Sequence, residues 1–138
     1  MRFERLPLTA LVAALAAACQ APTEHLEAKN AVGPYSAGVV ADGRFLFLSG
    51  KIGTPAGAFA DEMTGALDAV AADLTRAGAT FADVVSVNVF LTDMALFEEM
   101  NRLYAARFPK PWPARTTVAV TALPKGAHVE LQVVTRVR

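Results

Sequence analysis

Residues Pro113–Val134, PARTTVAVTALPKGAHVELQVV, hold two apolar, β-branched runs joined by Leu123-Pro124-Lys125-Gly126. Runs of this composition, bounded by Pro and Gly, read as strands. Each carries a charge that a buried strand has no use for. Arg115 opens the first run, and Glu130 stands between Val129 and Leu131 in the second. On pattern alone two readings compete. A single charge on a strand ordinarily faces solvent. The alternative is a pocket in which a guanidinium fork holds an anion while a carboxylate moves protons.

The preceding chain supplies the rest of a domain. Val84–Leu91 alternates, with Val85, Val87, Val89 and Leu91 on one face and Val84, Ser86, Asn88 and Phe90 on the other, which predicts a strand buried on one side. Thr92-Asp93 then caps a helix with Glu98 and Glu99 near its positive end. Leu96, Phe97, Met100, Leu103, Tyr104 and Phe108 form its apolar side, and Pro109 ends it. Between Asp61 and Ala77 the residues Met63, Leu67, Val70 and Leu74 make one helical stripe, stopped by Gly78. Ala37–Ala41 and Arg44–Ile52 flank Asp42-Gly43, which predicts a hairpin with a primed turn. The order β-β-α-β-α-β-β implies an α+β fold, two helices packed on one face of a sheet. Ser86, Asn88, Phe90, His128, Glu130 and Gln132 fall to the other face. Such mixed patterning resembles a subunit interface, so an oligomer is expected. His128 itself reads as a polar strand residue.

The 138 residues suit one domain with a modest core, and an apolar fraction of 54% is high. Basic and acidic residues balance at 13 each, without a Lys/Arg cluster, so the footprint of a nucleic-acid binder is missing. One cysteine excludes an internal disulfide, and Cys19, His25 and His128 match no zinc spacing. No Walker A loop or GxGxxG is present. Arg2 and Arg5 precede the apolar run Leu6–Ala18, too short for a span of about 20 residues and ending in Ala16-Ala17-Ala18. Residues 1–18 therefore read as a signal peptide. Leu15-Ala16-Ala17-Ala18-Cys19 resembles a bacterial lipoprotein processing site, with Cys19 lipidated as the first mature residue. That places the protein outside the cytoplasm, in the periplasm, with a lipid anchor as its one membrane contact. Residues 19–29 read as a flexible tether and 30–138 as the folded domain.

Six motifs occur in order along that domain: Gly33-Pro34-Tyr35-Ser36, Leu48-Ser49-Gly50, Val89-Phe90-Leu91-Thr92-Asp93-Met94, Asn101-x-x-Tyr104, Pro113-Ala114-Arg115, and Leu123-Pro124-Lys125-Gly126-Ala127-x-Val129-Glu130. Together they resemble the Rid family of YjgF-type reactive imine/enamine deaminases over residues 28–138. The resemblance implies a chorismate-mutase-like fold with a mixed sheet. It further implies a homotrimer around an inner barrel, with pockets between neighbouring subunits and no metal or organic cofactor. The implied reaction hydrolyses 2-imino acids, formed from enamines such as 2-aminoacrylate, to the 2-oxo acid and ammonia. Arg115 matches the arginine that binds the substrate carboxylate, and Glu130 the glutamate associated with the attacking water. Tyr35 and Asn101 match pocket-lining residues, and Thr117 a position whose backbone contacts substrate.

The chemistry suits these groups. A planar guanidinium can hold a carboxylate through two parallel hydrogen bonds and so fix the neighbouring C=N carbon. A carboxylate can orient water and pass its proton to nitrogen. The chain departs from the family pattern at Lys51, where glutamine is usual, and at Ala69, where a helix asparagine is common. Lys51 is read as a second cation near the pocket. A non-catalytic binder of small carboxylates, or a chaperone-like surface on the same fold, is the competing function. Ribonuclease activity is a third, opposed by the near-neutral charge.

Overall fold

The computed structural model describes residues 21–138. The expected signal peptide and Cys19 lie outside the described residues. Nine elements follow: β1 (Glu24–Leu26), β2 (Gly38–Val40), β3 (Arg44–Phe47), β4 (Lys51–Ile52), α1 (Phe59–Arg76), β5 (Val84–Leu91), α2 (Phe97–Arg107), β6 (Ala114–Ala119) and β7 (Val129–Val137). The main sheet runs β3-β7-β5-β6, with β4 also on β7. β5 and β6 are parallel, and β7 is antiparallel to β3, β4 and β5. The two runs of the Pro113–Val134 stretch therefore do not pair with each other, because β5 lies between them.

Both helices cover one face of this mixed sheet. The helical stripe is buried as its spacing predicts, with Met63, Leu67, Val70 and Leu74 joined by Ala66. Against it pack Val87, Val89 and Leu91 of β5 and Val129, Leu131 and Val133 of β7. Burying an aliphatic side chain of this kind stabilises by about 1.5–3 kcal/mol. α2 buries Met100, Asn101 and Tyr104, and Tyr104 stacks on Phe108 with ring centres 4.0 Å apart. Asp93 caps a short 3₁₀ turn, Met94–Leu96, by accepting from the Ala95 N–H, so α2 itself begins only at Phe97.

Three local expectations are corrected. Ala37–Ala41 and Arg44–Ile52 do not form a hairpin, because β2 pairs with β1 while β3 pairs with β7. Gly43 takes a positive φ and Asp42 does not, so the type I′ turn, which needs both, is not made. Residues 24–26 are strand rather than tether: β1 pairs with β2, and His25 Nδ1 lies 2.9 Å from the carbonyl of Trp112. In β5, the buried residue near the start is Val84 and not Val85. The register slips between Val84 and Ser86, and this one-residue bulge turns Val85 off the core face.

Candidate functional site

Arg115 leaves β6 on the helix-covered face, where its cross-strand neighbour is the fully buried Val87. There it meets α2. Its Nη2 donates to Asn101 Oδ1 at 2.7 Å, and its Nη1 lies 3.9 Å from Met100 Sδ. Three rings surround the guanidinium: Tyr104 at 4.9 Å, Tyr35 at 5.6 Å and Phe97 at 5.8 Å. Burial pulls its pKa down, and the Tyr104 and Tyr35 phenols partly oppose that shift. An arginine starts so high that it stays charged at neutral pH.

Tyr35 arrives from the loop before β2. Ser36 bridges to Ala114, its N–H donates to the Pro113 carbonyl, and its hydroxyl donates to the Trp112 carbonyl. Gly33 in the same loop packs closely on the Arg115–Asn101 pair. A Cβ there would stand 2.6 Å from Arg115 Nη2 and 2.9 Å from Asn101 Oδ1. Val32, Tyr35, Phe97, Arg115 and Thr117 together line a cleft of about 190 Å³. A half-buried, ring-bounded cation with N–H groups left over is suited to a small carboxylate.

Asn101, expected as a pocket-lining residue, is buried and holds the arginine instead. Thr117 is among the residues lining the cleft, and its hydroxyl oxygen is buried without a partner. The Tyr104 hydroxyl is likewise unpartnered, and burial pushes its pKa far above the ordinary phenol value.

Glu130 is elsewhere. On β7 it pairs with Phe90 and Ile52, on the face the helices leave open. Its carboxylate leans over Gly50, where any Cβ would collide with it. Arg115 and Glu130 are thus separated by β5 and by the sheet itself. Two strand spacings across and three residues along amount to about 14 Å within the sheet plane. Both charges are real site candidates, but one chain does not bring them together. Alternation decides this: Arg115 shares a face with Val87 and Val133, whereas Glu130 shares one with Phe90 and Val118.

Lys51, expected near the pocket, is also placed otherwise. Phe47 pairs with Val134 but Lys51 with Leu131, so one extra residue sits around Ser49-Gly50 and flips Lys51 to the helix face. There its Nζ meets Asp73 of α1 at 2.5 Å. Lys51, chiefly by hydrogen bonding, holds the Asp73 carboxyl below its ordinary pKa. Asp73 lies one helical turn beyond Ala69, on the same side of α1. The two departures from the family pattern thus belong together: the lysine reaches past the alanine to the next polar position.

Sequence reasoning missed Glu62, which is buried to 2% exposure in the first turn of α1. Its signal was present, since Glu62 stands four and eight residues before the buried Ala66 and Val70. An acid in the first turn of a helix is ordinary, so the local pattern does not single it out.

Two helices on one face of a mixed sheet define an α+β fold, with an arginine-centred cleft at the edge of that sheet. Residues 25–137 match the family described as endoribonuclease L-PSP, and the chain belongs to that YjgF/Rid family. It is 36% identical over 115 residues to a human protein named 2-iminobutanoate/2-iminopropanoate deaminase, covering 78% of this chain and 83% of that one. It is also 36% identical over 113 residues to the chloroplastic Reactive Intermediate Deaminase A of Arabidopsis thaliana, covering 77% of this chain and 60% of that one. Among solved structures, RidA from a Psychrobacter species superposes with a TM-score of 0.66 at 33% identity, covering 80% of this chain and 94% of that one.

Proposed function

We propose that the protein hydrolyses small 2-imino and enamino acids of the 2-aminoacrylate type to the 2-oxo acid and ammonia. The observation that carries this reading is Arg115, a guanidinium clamped by Asn101 and three rings at the wall of a cleft sized for a few carbon atoms. The deaminase names of relatives about 36% identical point the same way. Arg115 grips the substrate carboxylate. Glu130 takes a proton from water as the oxygen bonds to the C=N carbon, and the nitrogen is protonated. The carbinolamine collapses, the C–N bond breaks, and ammonia leaves. The imine is already electrophilic, so a positioned acid–base group contributing roughly 100- to 10,000-fold is sufficient.

Because one chain holds the two groups on opposite sheet faces, the site is completed by a second copy in a homotrimer. Glu130 of one copy faces the Arg115 cleft of its neighbour. The open face supports this arrangement, since Phe47 is 72% exposed and Val118 41% exposed beside Phe90 and Glu130. The endoribonuclease wording of the family description is not adopted, because a single clamped guanidinium in a small cleft suits a carboxylate better than a phosphodiester chain.

The test is pyruvate release from enzymatically generated 2-aminoacrylate. Acceleration that disappears in Arg115→Ala supports the reading; no acceleration, or acceleration that survives the substitution, overturns it. Carboxylate binding lost in Arg115→Ala with no function altered in Glu130→Ala would favour a non-catalytic binder. Co-refolding Arg115→Ala with Glu130→Ala chains tests the shared site: random mixing should restore about a quarter of the activity in a ring. A site within one chain restores none. Export with a lipid at Cys19 completes the proposal, and the mass of the mature N-terminus decides it.

A further inference from the structure

Glu62 takes no part in the chemistry above, yet it is among the most deeply buried ionisable groups of the described residues. A carboxylate withdrawn from water needs donors to remain there. Glu62 has three. Its Oε1 accepts from the backbone N–H groups of His128 at 2.6 Å and Val129 at 3.2 Å. Its Oε2 lies 2.8 Å from His128 Nδ1. A carboxylate that is ionised only accepts, and opposite such a group Nδ1 of His128 is the donor.

All three donors come from the two residues immediately before Glu130. Upstream of them the Pro124–Gly126 turn is exposed, and the entry into β7 is held by Glu62 together with the Leu91–Val129 pairing, the burial of Ala127 and Val129, and the Thr92 N–H donating to the His128 carbonyl. The same residue touches the strand on the other side of Glu130. Ile52 is the β4 partner of Glu130, and Gly53, which follows it, lies so close that a Cβ would collide with the Glu62 backbone carbonyl.

We propose that Glu62 is a positioning residue for Glu130, fixing the first residues of β7 and through them the direction in which the Glu130 carboxylate leaves the sheet. This rests on the catalytic role proposed for Glu130. Arg115 stands on β6, two strands from the entry of β7, and its guanidinium is held by Asn101 and Met100 of α2 and not by Glu62, so substrate binding is independent of Glu62. The signature is therefore a split: turnover falls while KM holds.

The experiment uses the full-length protein with 2-aminoacrylate as substrate and 2-oxobutanoate as the binding probe. Glu62→Leu should lower kcat by about 30-fold or more, with KM and 2-oxobutanoate affinity within about twofold of wild type. Glu62→Gln keeps an oxygen for the two N–H groups and should stay within about threefold. If Glu62→Leu does not fold, Glu62→Asp, one methylene short, takes its place with the same expected split. A folded Glu62→Leu with kcat within threefold of wild type overturns the proposal, and so does a parallel loss of 2-oxobutanoate binding. Should wild type show no deamination, the reading of Glu130 fails separately. The carbon-13 resonance of the Glu130 carboxyl then decides: a chemical shift and titration unchanged in Glu62→Leu overturns positioning, and a displaced one supports it.

Discussion

The helix-covered face and the open face of the main sheet each present one unusual charge, and they treat it differently. On the covered face Arg115 is enclosed by Asn101, Met100 and three aromatic rings before any ligand arrives. On the open face Glu130 lies partly exposed over Gly50 and beside Phe90, with Val118 and Phe47 exposed elsewhere on the same face. The cation is enclosed by its own chain, and in the shared site proposed above the carboxylate is directed toward another copy. The proposed division would couple catalysis to assembly, while leaving carboxylate recognition a property of one subunit.

The strongest way to break this contrast is Arg115→Ala, which should lower kcat/KM by about 100- to 1,000-fold, the cost of losing a buried charge-assisted anchor. Arg115→Lys should recover little of it, because an ammonium cannot reproduce the planar fork. Steady-state kinetics measures both. A core substitution on the covered face, Leu131→Ala, should cost about 2–5 kcal/mol of stability by denaturant unfolding. On the open face Phe47→Asp should leave the fold of the chain intact and reduce the mass in solution to that of one chain, as sedimentation would show. A Phe47→Asp protein that remains oligomeric would remove the open face from the interface.

Smaller effects sharpen the contrast further. Tyr104→Phe removes a buried hydroxyl that has no partner, so stability should be unchanged or slightly raised by thermal melting, with the ring still beside Arg115. The least effect belongs to Lys51→Gln, which should leave kcat/KM within about twofold because Lys51 points away from the cleft. Its partner gives a pH signature. The Asp73 carboxyl has a folded pKa below its ordinary 3.8, so the stability it adds is present above that value. It is lost as pH falls through the lower folded value. Asp73→Asn should remove this component from the acid limb of the stability profile and leave neutral pH nearly unaffected.

Much of this was legible in the chain. The stripe Met63, Leu67, Val70, Leu74 and the strand Val84–Leu91 follow from periodicity, and the ordered motifs lead to the family. What escaped reading were single-residue shifts. One extra residue at Val85 and one around Ser49-Gly50 each reverse which side chains face the helices, and alternation carries no mark of either. The hairpin at Asp42-Gly43 failed because β3 found β7 and β2 found β1, a competition decided by residues far away in sequence. The separation of Arg115 from Glu130 depends on β5 lying between their strands, which local pattern could not reveal. Glu62 was hidden by its ordinary place among acids at a helix start.

The pairing of Lys51 with Asp73 also bears on how fast substrate arrives. A lysine neutralised by its own helix projects little field into solvent, and Asp73 is further shared with Arg76 at 3.0 Å. For a 2-imino acid, the substrate proposed above, the attraction on approach then comes chiefly from the recessed Arg115, across a distance at which dissolved salt screens weakly. Capture of substrate by this protein should accordingly vary little with ionic strength, and its encounter rate should be set by diffusion into the cleft rather than by long-range steering.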